Sequence, residues 1–504
     1  MHALRSFARG ILPSVGLFAV ATKGSPDLNR LRVPLEWLVV IGLAAAAFAF
    51  FHLGIKARRQ AHGSSPRYSH FLDSQPRALY VLGVVQACER FAFFAVFPLF
   101  VLYLHHHLGI SEDRAVLLLG SVQAASYLGG LPGGWLADSL GRRGATLLGT
   151  VLLTLGYAAV AVDRPTLLWL ALGLLVVGHS FFKTGLYALA SGLYARGDRR
   201  REGGFLLLHF MLNVGAMLGP LCAEWARARW GWPTIFRCSA LGMILGTGCL
   251  LVVCFFIHQG HAGNNELTVP QAPVGDERKR VRAIWFVCTI SLVFWLTAQQ
   301  AGTSLSFFAE RHTAQVLHIS TSQFEVRPGH FAALHALLVL LLLPLLSWLF
   351  RSLRRRRIEP STPAKMLWGY LATAVAFAVI GLACLRGGDT DRVAATWLSG
   401  CYVFLTLAEL LLAPTCISLI TQLAPPTRAS RLLGLWFASA AVGNWLVGWV
   451  GLLWNRWPHH RYFLLLALLS GITAALLTIR LRRMEALVAT AGTSQGPEAT
   501  EPTM

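Results

Sequence analysis

The feature that most limits what this chain can fold into is a succession of apolar runs, each about 20 residues long. A run of that length crosses a hydrocarbon core roughly 30 Å thick as a helix, which satisfies its backbone polar groups within the segment. Twelve such runs begin near Leu79, Ala115, Gly144, Pro165, Gly203, Pro233, Ala283, Pro328, Ala364, Ala394, Leu432 and Tyr462. Charged residues make up only 13% of the 504 residues, against about 25% in an ordinary soluble chain. The expected class is an all-α polytopic membrane protein. Its formal charge of +21 then means loops held against anionic headgroups, and no nucleic-acid partner is expected. The nine cysteines fall in apolar stretches without a CxxC pair or a Cys/His cluster of metal spacing. No disulfide framework, metal or cofactor is expected.

The longest polar break, from His258 to Arg282, divides the runs six and six. The loops after even-numbered runs, with the C-terminal flank, hold 21 Lys and Arg against 11 in the opposite loops. The positive-inside rule therefore predicts that both ends of the twelve-helix body, and the C-terminus, are cytoplasmic. The expected organisation is an N-terminal extension over 1–78, a six-helix bundle over 79–257, a cytoplasmic linker over 258–282, a second bundle over 283–483 and a flexible tail over 484–504. Within the extension, 37–55 is apolar enough for one extra helix; it starts too late for a signal peptide. The run His105-His106-His107 falls in an outer loop, as a surface cluster rather than a metal site.

Six helices, a basic linker and six more is the common plan of secondary transporters, whose halves rock around a site near the bilayer midplane. Charges deep in the spans are kept mainly for pathways and relays. Glu89 and Arg90 stand in the first run, Lys183 in the fourth and Glu409 in the tenth. Lys183 is one of five lysines against 39 arginines and the only one deep in a span; unlike Arg, a buried Lys can lose its proton. It suits gating, or an ion pair fastening the fourth helix to the first. Glu409 has no charged neighbour along its own helix, so it must meet a basic side chain, a substrate cation or a proton across the cavity.

Local motifs then bring a family into view. Gly133-Gly134-Trp135-Leu136-Ala137-Asp138, followed by Gly141-Arg142-Arg143, resembles the loop signature of the major facilitator superfamily. There, glycines allow close helix approach while Asp138, Arg142 and Arg143 would serve a cytoplasmic gate. Gln86-Ala87-Cys88-Glu89-Arg90-Phe91, Gly178 to Lys183, and Leu208 to Gly215 resemble the helix 1, 4 and 5 motifs of the proton-dependent oligopeptide transporter (POT) family. Phe294-Trp295 through Arg311, Glu409 to Pro414, and Gly434 to Phe437 with Gly443-Asn444 look like its helices 7, 10 and 11. The resemblance covers about residues 79–483 in order.

It implies a major facilitator 6+6 helix fold and proton-coupled uptake of short peptides by alternating access. It assigns proton coupling or gating to Glu89, Arg90, Lys183 and Glu409. It assigns substrate binding to Phe93, Phe94, Phe97, Tyr127, Lys183, Asn213, Trp295, Gln299, His335, Glu409 and Trp436. Several of these depart from the family's pattern. Gln86 and Gln299 stand where it has glutamates, and amides cannot carry a proton between faces. Phe93 and Phe94 replace tyrosines, Phe97 an arginine that the family turns to the peptide carboxylate, and His335 an asparagine. A peptide zwitterion needs a cation for its carboxylate and an anion for its ammonium. Here Glu409, with Asn213 and His335, would hold the ammonium, and Lys183 alone would face the carboxylate beside a phenylalanine wall. A hydrophobic or modified peptide fits that pocket.

Alternative readings are a differently coupled or uncoupled transporter of another solute, and a transport-inactive sensor on the same fold. Packing alone also accounts for Trp295, Trp436 and His209 individually. An enzyme is not expected, since no His-Glu-x-x-His or Ser/His arrangement stands in the spans. The expected partners are a peptide or small-molecule substrate, protons and the lipid bilayer, around a monomer. Arginine and alanine richness points to a bacterial inner (plasma) membrane.

Overall fold

The structure, a computed structural model, describes residues 75–194, 200–257, 277–314, 316–319, 322–387, 391–424 and 429–493. The stretch 37–55 and most of the linker lie outside them. The first apolar run is α1 (Arg77–Val96) and α2 (Phe100–His106), separated by a 3-10 turn over Phe97–Leu99. Pro98 lacks the N–H that would continue the α pattern there. Next come α3 (Glu112–Leu128) and α4 (Gly130–Ala161), the latter two helices joined at Gly141. Gly141 has φ 74°, a conformation that side chains rarely adopt, so the motif glycine makes the turn between the second and third runs. α5 (Pro165–Ser191), α6 (Arg200–Trp230) and α7 (Pro233–Ile257) complete the first group.

The second group opens with α8 (Glu277–Ala298), a 3-10 turn over Gln299–Gly302 and α9 (Ser304–Arg311). It continues with α10 (Pro328–Arg355), α11 (Thr362–Gly387), α12 (Ala395–Leu423), α13 (Ala429–Gly451) and α14 (His459–Thr493). α5, α7 and α10 each begin on proline, whose missing N–H costs nothing in a first turn. Among the described residues, ten segments are long and apolar enough to cross a membrane. The two other expected runs are present as helices. α3 is 17 residues long before the break at Gly129, and α13 is diluted by Gly, Trp, Ser and Asn444.

Three local features differ from expectation. A short antiparallel hairpin, β1 (Val316–Ile319) with β2 (Ser322–Glu325), precedes α10. The linker gives way to helix at Glu277 rather than near residue 283. The expected tail begins as helix, since α14 runs to Thr493. Met484 is buried, Leu487 and Val488 pack on the same core, and Glu485 accepts a hydrogen bond from Ser361 at 2.5 Å. The i, i+3, i+4 spacing of those apolar residues is a helix signal, masked by the small polar residues beyond it.

Within the first group α1 packs on α6 and α7, and α4 on α5 and α7; within the second, α11 packs on α12 and α14, and α8 on α13. The groups meet along two seams, α3 with α13 and α6 with α10. At the first seam the backbones touch: a Cβ on Gly120 would lie 2.9 Å from the Asn444 carbonyl and from the Gly448 nitrogen. At the second, Glu224 of α6 accepts the Gly329 N–H of the first turn of α10 at 2.9 Å, while Arg227 pairs with the same carboxylate at 2.9 Å. A carboxylate there answers the unsatisfied N–H groups of a helix start.

Gln300, fully buried, pins the 3-10 turn: its Oε1 accepts from Tyr462 at 2.8 Å, Ser304 at 2.6 Å and Thr303 at 3.2 Å. Tyr462→Phe should therefore cost about 1 kcal/mol, because Gln300 keeps two donors. It should lower the thermal unfolding temperature in detergent by a few degrees; unchanged melting would argue against the pin. In the α10–α11 loop, a hydrogen bond from Arg354 (2.5 Å), with one from Lys365 (2.6 Å), holds the Glu359 carboxyl down to about 2.

Candidate functional site

The first group brings α1, α3 and α5 together around a buried charge cluster. Glu89 has no exposed surface; Arg90 reaches it through Nε at 2.5 Å and through a second guanidinium nitrogen. His179 Nδ1 stands 3.0 Å from Glu89 Oε1, though off the hydrogen-bonding direction. His179 lies one turn before Lys183 on α5, so both face α1. The fastening of the fourth span to the first is thus made by His179. Among the described residues no carboxylate lies within ion-pair distance of Lys183. Its Nζ sits 4.7 Å over the Tyr127 ring, a cation–π contact. His179 occupies an unspecified position of the Gly178–Lys183 motif; its i, i+4 spacing to Lys183 was the signal that could have found it.

From Tyr127 an aromatic chain crosses between the halves. Its ring is 5.3 Å from Trp295 on α8, which is 5.4 Å from Trp436 on α13. Both indole Nε1 atoms are buried without a hydrogen-bond acceptor. The three phenylalanines form one cluster, Phe93 stacked on Phe97 at 5.3 Å and edge-on to Phe94 at 5.1 Å. Phe97 fits the notch left by Gly302, where a Cβ would come within 2.4 Å of its ring. It thereby seals the halves against each other. Phe93, Phe97 and His179 also border a cavity of about 50 Å³.

The second group supplies the anion. Glu409 of α12 sits deep in the bundle, yet 45% of its side-chain surface is accessible, so it lines an open cavity. His335 of α10 bridges two residues of α12: its Nε2 lies 2.8 Å from Glu409 Oε2 and its Nδ1 2.8 Å from Thr406 Oγ1. Thr406 and Glu409, three apart, share a helix face. Asn213 of α6 is buried and donates to the His209 carbonyl at 2.9 Å. Gln299 opens the 3-10 turn after α8, half-buried. The Gln86 Oε1 is buried without a donor. Asp138, Arg142 and Arg143 flank the Gly141 turn, but the side chains of the first two lie outside the described residues.

The hydrogen bonds and ion pairs seen between the halves gather at the end bearing the histidine run. Arg311 pairs with Glu112, His106 with Glu310 at 2.8 Å, and Asn455 with Asp113 at 3.1 Å. His105 and His107 face Glu112 and Asp163 at 3.4 Å and 2.6 Å. The expected surface cluster is thus a set of carboxylate contacts.

The major facilitator superfamily model matches residues 82–362, and the POT family model residues 268–460. The chain belongs to the major facilitator superfamily, and its second half is similar to the POT family. Among relatives, Peptide transporter YePEPT of Yersinia enterocolitica is 28% identical, covering 75% of this chain and 87% of its own. Dipeptide and tripeptide permease A of Proteus mirabilis is 25% identical, over 74% and 86%. A solved POT family transporter in complex with 5-aminolevulinic acid superposes with TM-score 0.72 at 21% identity, covering 81% of this chain and 97% of that one. A peptide transporter bound to alafosfalin gives 0.71 at 24%, covering 82% and 96%. These superpositions establish the fold. As a member of that superfamily the chain is an integral membrane transporter and not an enzyme.

Proposed function

We propose that this protein takes up short peptides, hydrophobic ones above all, by proton-coupled alternating access. The observation that carries the proposal is a deep cation in one half and a deep anion in the other, with Tyr127 bearing on both. Lys183 stands beside Tyr127 in the first, and Glu409 lines the cavity in the second. Such a pair complements a zwitterion, and rocking of the halves moves it from one membrane face to the other. Trp295, Trp436 and Tyr127 line the path between them, with Phe93 and Phe94 as an apolar wall and Asn213, Gln299 and His335 at the polar rim. Proton coupling and gating fall to Glu89, Arg90, Lys183 and Glu409.

The body is read as twelve spans, 79–257 and 283–483 around the linker 258–282, with both ends cytoplasmic in a bacterial plasma membrane, working as a monomer. In that orientation the polar contacts at the histidine run are an outer gate held closed, and the Asp138–Arg143 turn belongs to the inner one. The N-terminal extension over 1–78 lies outside this transport body, whereas the start of the expected tail, through Thr493, belongs to its last helix. The names and bound ligands of the relatives support this reading: peptide transporter, dipeptide and tripeptide permease, and a structure with a thioalcohol-conjugated peptide.

Competition tests the substrate class. Saturable uptake of labelled Ala-Phe into proteoliposomes should be inhibited by unlabelled dipeptides with free termini and far less by N-acetyl-Ala-Phe. Uptake that no dipeptide competes for would reject the peptide assignment.

A further inference from the structure

We propose that the His335–Glu409 pair is a proton–ammonium exchange site, which holds one proton when the cavity is empty and releases it when a substrate's amino group arrives. The proposal rests on the peptide-transport reading and adds a proton stoichiometry to amine binding. It begins at Thr406, which has no exposed surface. A threonine hydroxyl has a single proton, and Thr406 gives it to the Tyr402 carbonyl at 2.7 Å. With its proton turned to that carbonyl, the hydroxyl oxygen accepts from His335 Nδ1, 2.8 Å away. We take this arrangement, with a hydrogen on Nδ1, for the empty cavity; the other ring nitrogen meets Glu409 Oε2 at 2.8 Å. An imidazole lone pair and a carboxylate oxygen would repel at that distance. In this arrangement one proton lies between them, whichever atom formally carries it.

The locked end of this unit is buried and the exchanging end is open. His335 and Glu409 expose 22% and 45% of their side-chain surfaces, beside a space of about 40 Å³ bordered by Phe294, Thr297 and Ala301. The other titratable groups bearing on Glu409 are His209 from α6 and Tyr127 from α3, and the Tyr402 ring lies 6.2 Å from that of His335. An ammonium that enters finds two acceptors, Oε2 and Nε2, once the shared proton has left. The exchange balances in atoms and charge: the protonated pair plus R–NH3⁺ gives neutral His335, ionised Glu409, the bound ammonium and one proton released to water. The site keeps the same net charge throughout, so amine binding adds no net charge to the low-dielectric interior. An acylated nitrogen carries no charge and cannot take the proton's place. It follows that a proton travelling with the peptide sits elsewhere, and Glu89 with His179 is the other deep carboxylate of the resemblance.

The test uses the purified full-length protein in detergent and has two arms. In the first, without peptide, proton uptake is counted between about pH 8 and about pH 5. Wild type should take up about one proton per chain more than His335→Asn; equal counts would overturn the proposal. In the second, Ala-Phe binding is followed calorimetrically in two buffers of different ionisation enthalpy. Below the pair's transition, wild type should release about one proton per peptide bound, with affinity falling about tenfold per pH unit. His335→Asn should bind with no release. Thr406→Val should give a release well below wild type, since Nδ1 is no longer locked and neutral His335 can donate to Glu409 through Nε2. Binding by wild type without proton release would overturn the exchange. A proton difference in the first arm with no Ala-Phe binding at any pH would overturn the peptide reading and the displacement together, while leaving the proton count intact. The two failures are thereby told apart.

Discussion

Glu409→Gln should abolish peptide uptake while leaving the protein folded. The side chain is 45% accessible and its contact is with His335, so the amide replaces it without stranding a buried charge. Removing the carboxylate withdraws a charge-assisted hydrogen bond from the substrate ammonium, a loss of about 2–5 kcal/mol. That corresponds to a fall in affinity from about 30-fold to a few thousand-fold. Unaltered melting with uptake at background checks both halves of the statement. Wild-type uptake by the variant would remove Glu409 from the site.

The second large effect is structural and concerns the other deep carboxylate. Glu89 is wholly buried and held by Arg90, with His179 beside it. Breaking a buried pair by removing one member leaves an uncompensated charge and costs about 3–5 kcal/mol. Glu89→Gln should therefore melt far below wild type. The double variant Glu89→Gln with Arg90→Gln should recover much of the loss, because neither charge is then stranded; a double-mutant cycle isolates that coupling. A single variant as stable as wild type but dead in transport would show that Glu89 works in the cycle and is not needed for the fold.

The contrast between these two glutamates explains which features the sequence displays and which it hides. Both are visible as charges inside apolar runs, and the helix starts lie within a few residues of where hydropathy places them, because bilayer thickness sets the length of each run. The turn at Gly141 was marked by its own motif. Apart from Arg90, which adjoins Glu89, what encloses each carboxylate is not local. His335 is 74 positions from Glu409 and His179 lies 90 from Glu89, and no spacing rule links such pairs. Motif matching also passes over unspecified positions, and His179 occupies one. Phe97 illustrates the same limit: its substitution suggested a greasier pocket wall, while its packing against Gly302 makes it a seal between the halves. The hairpin before α10 is too short to show a strand period, and the helical start of the tail was outweighed by the polar residues that follow.

Proton-driven peptide accumulation is the most direct measurement of the central claim. Labelled Ala-Phe would be presented to proteoliposomes with and without an inward proton gradient, beside Glu409→Gln. The account predicts accumulation above the external concentration when the gradient is imposed, its collapse with a protonophore, and none in the variant. Uptake that equilibrates at the same level with or without the gradient would contradict proton coupling, and no uptake by folded protein would contradict peptide transport itself.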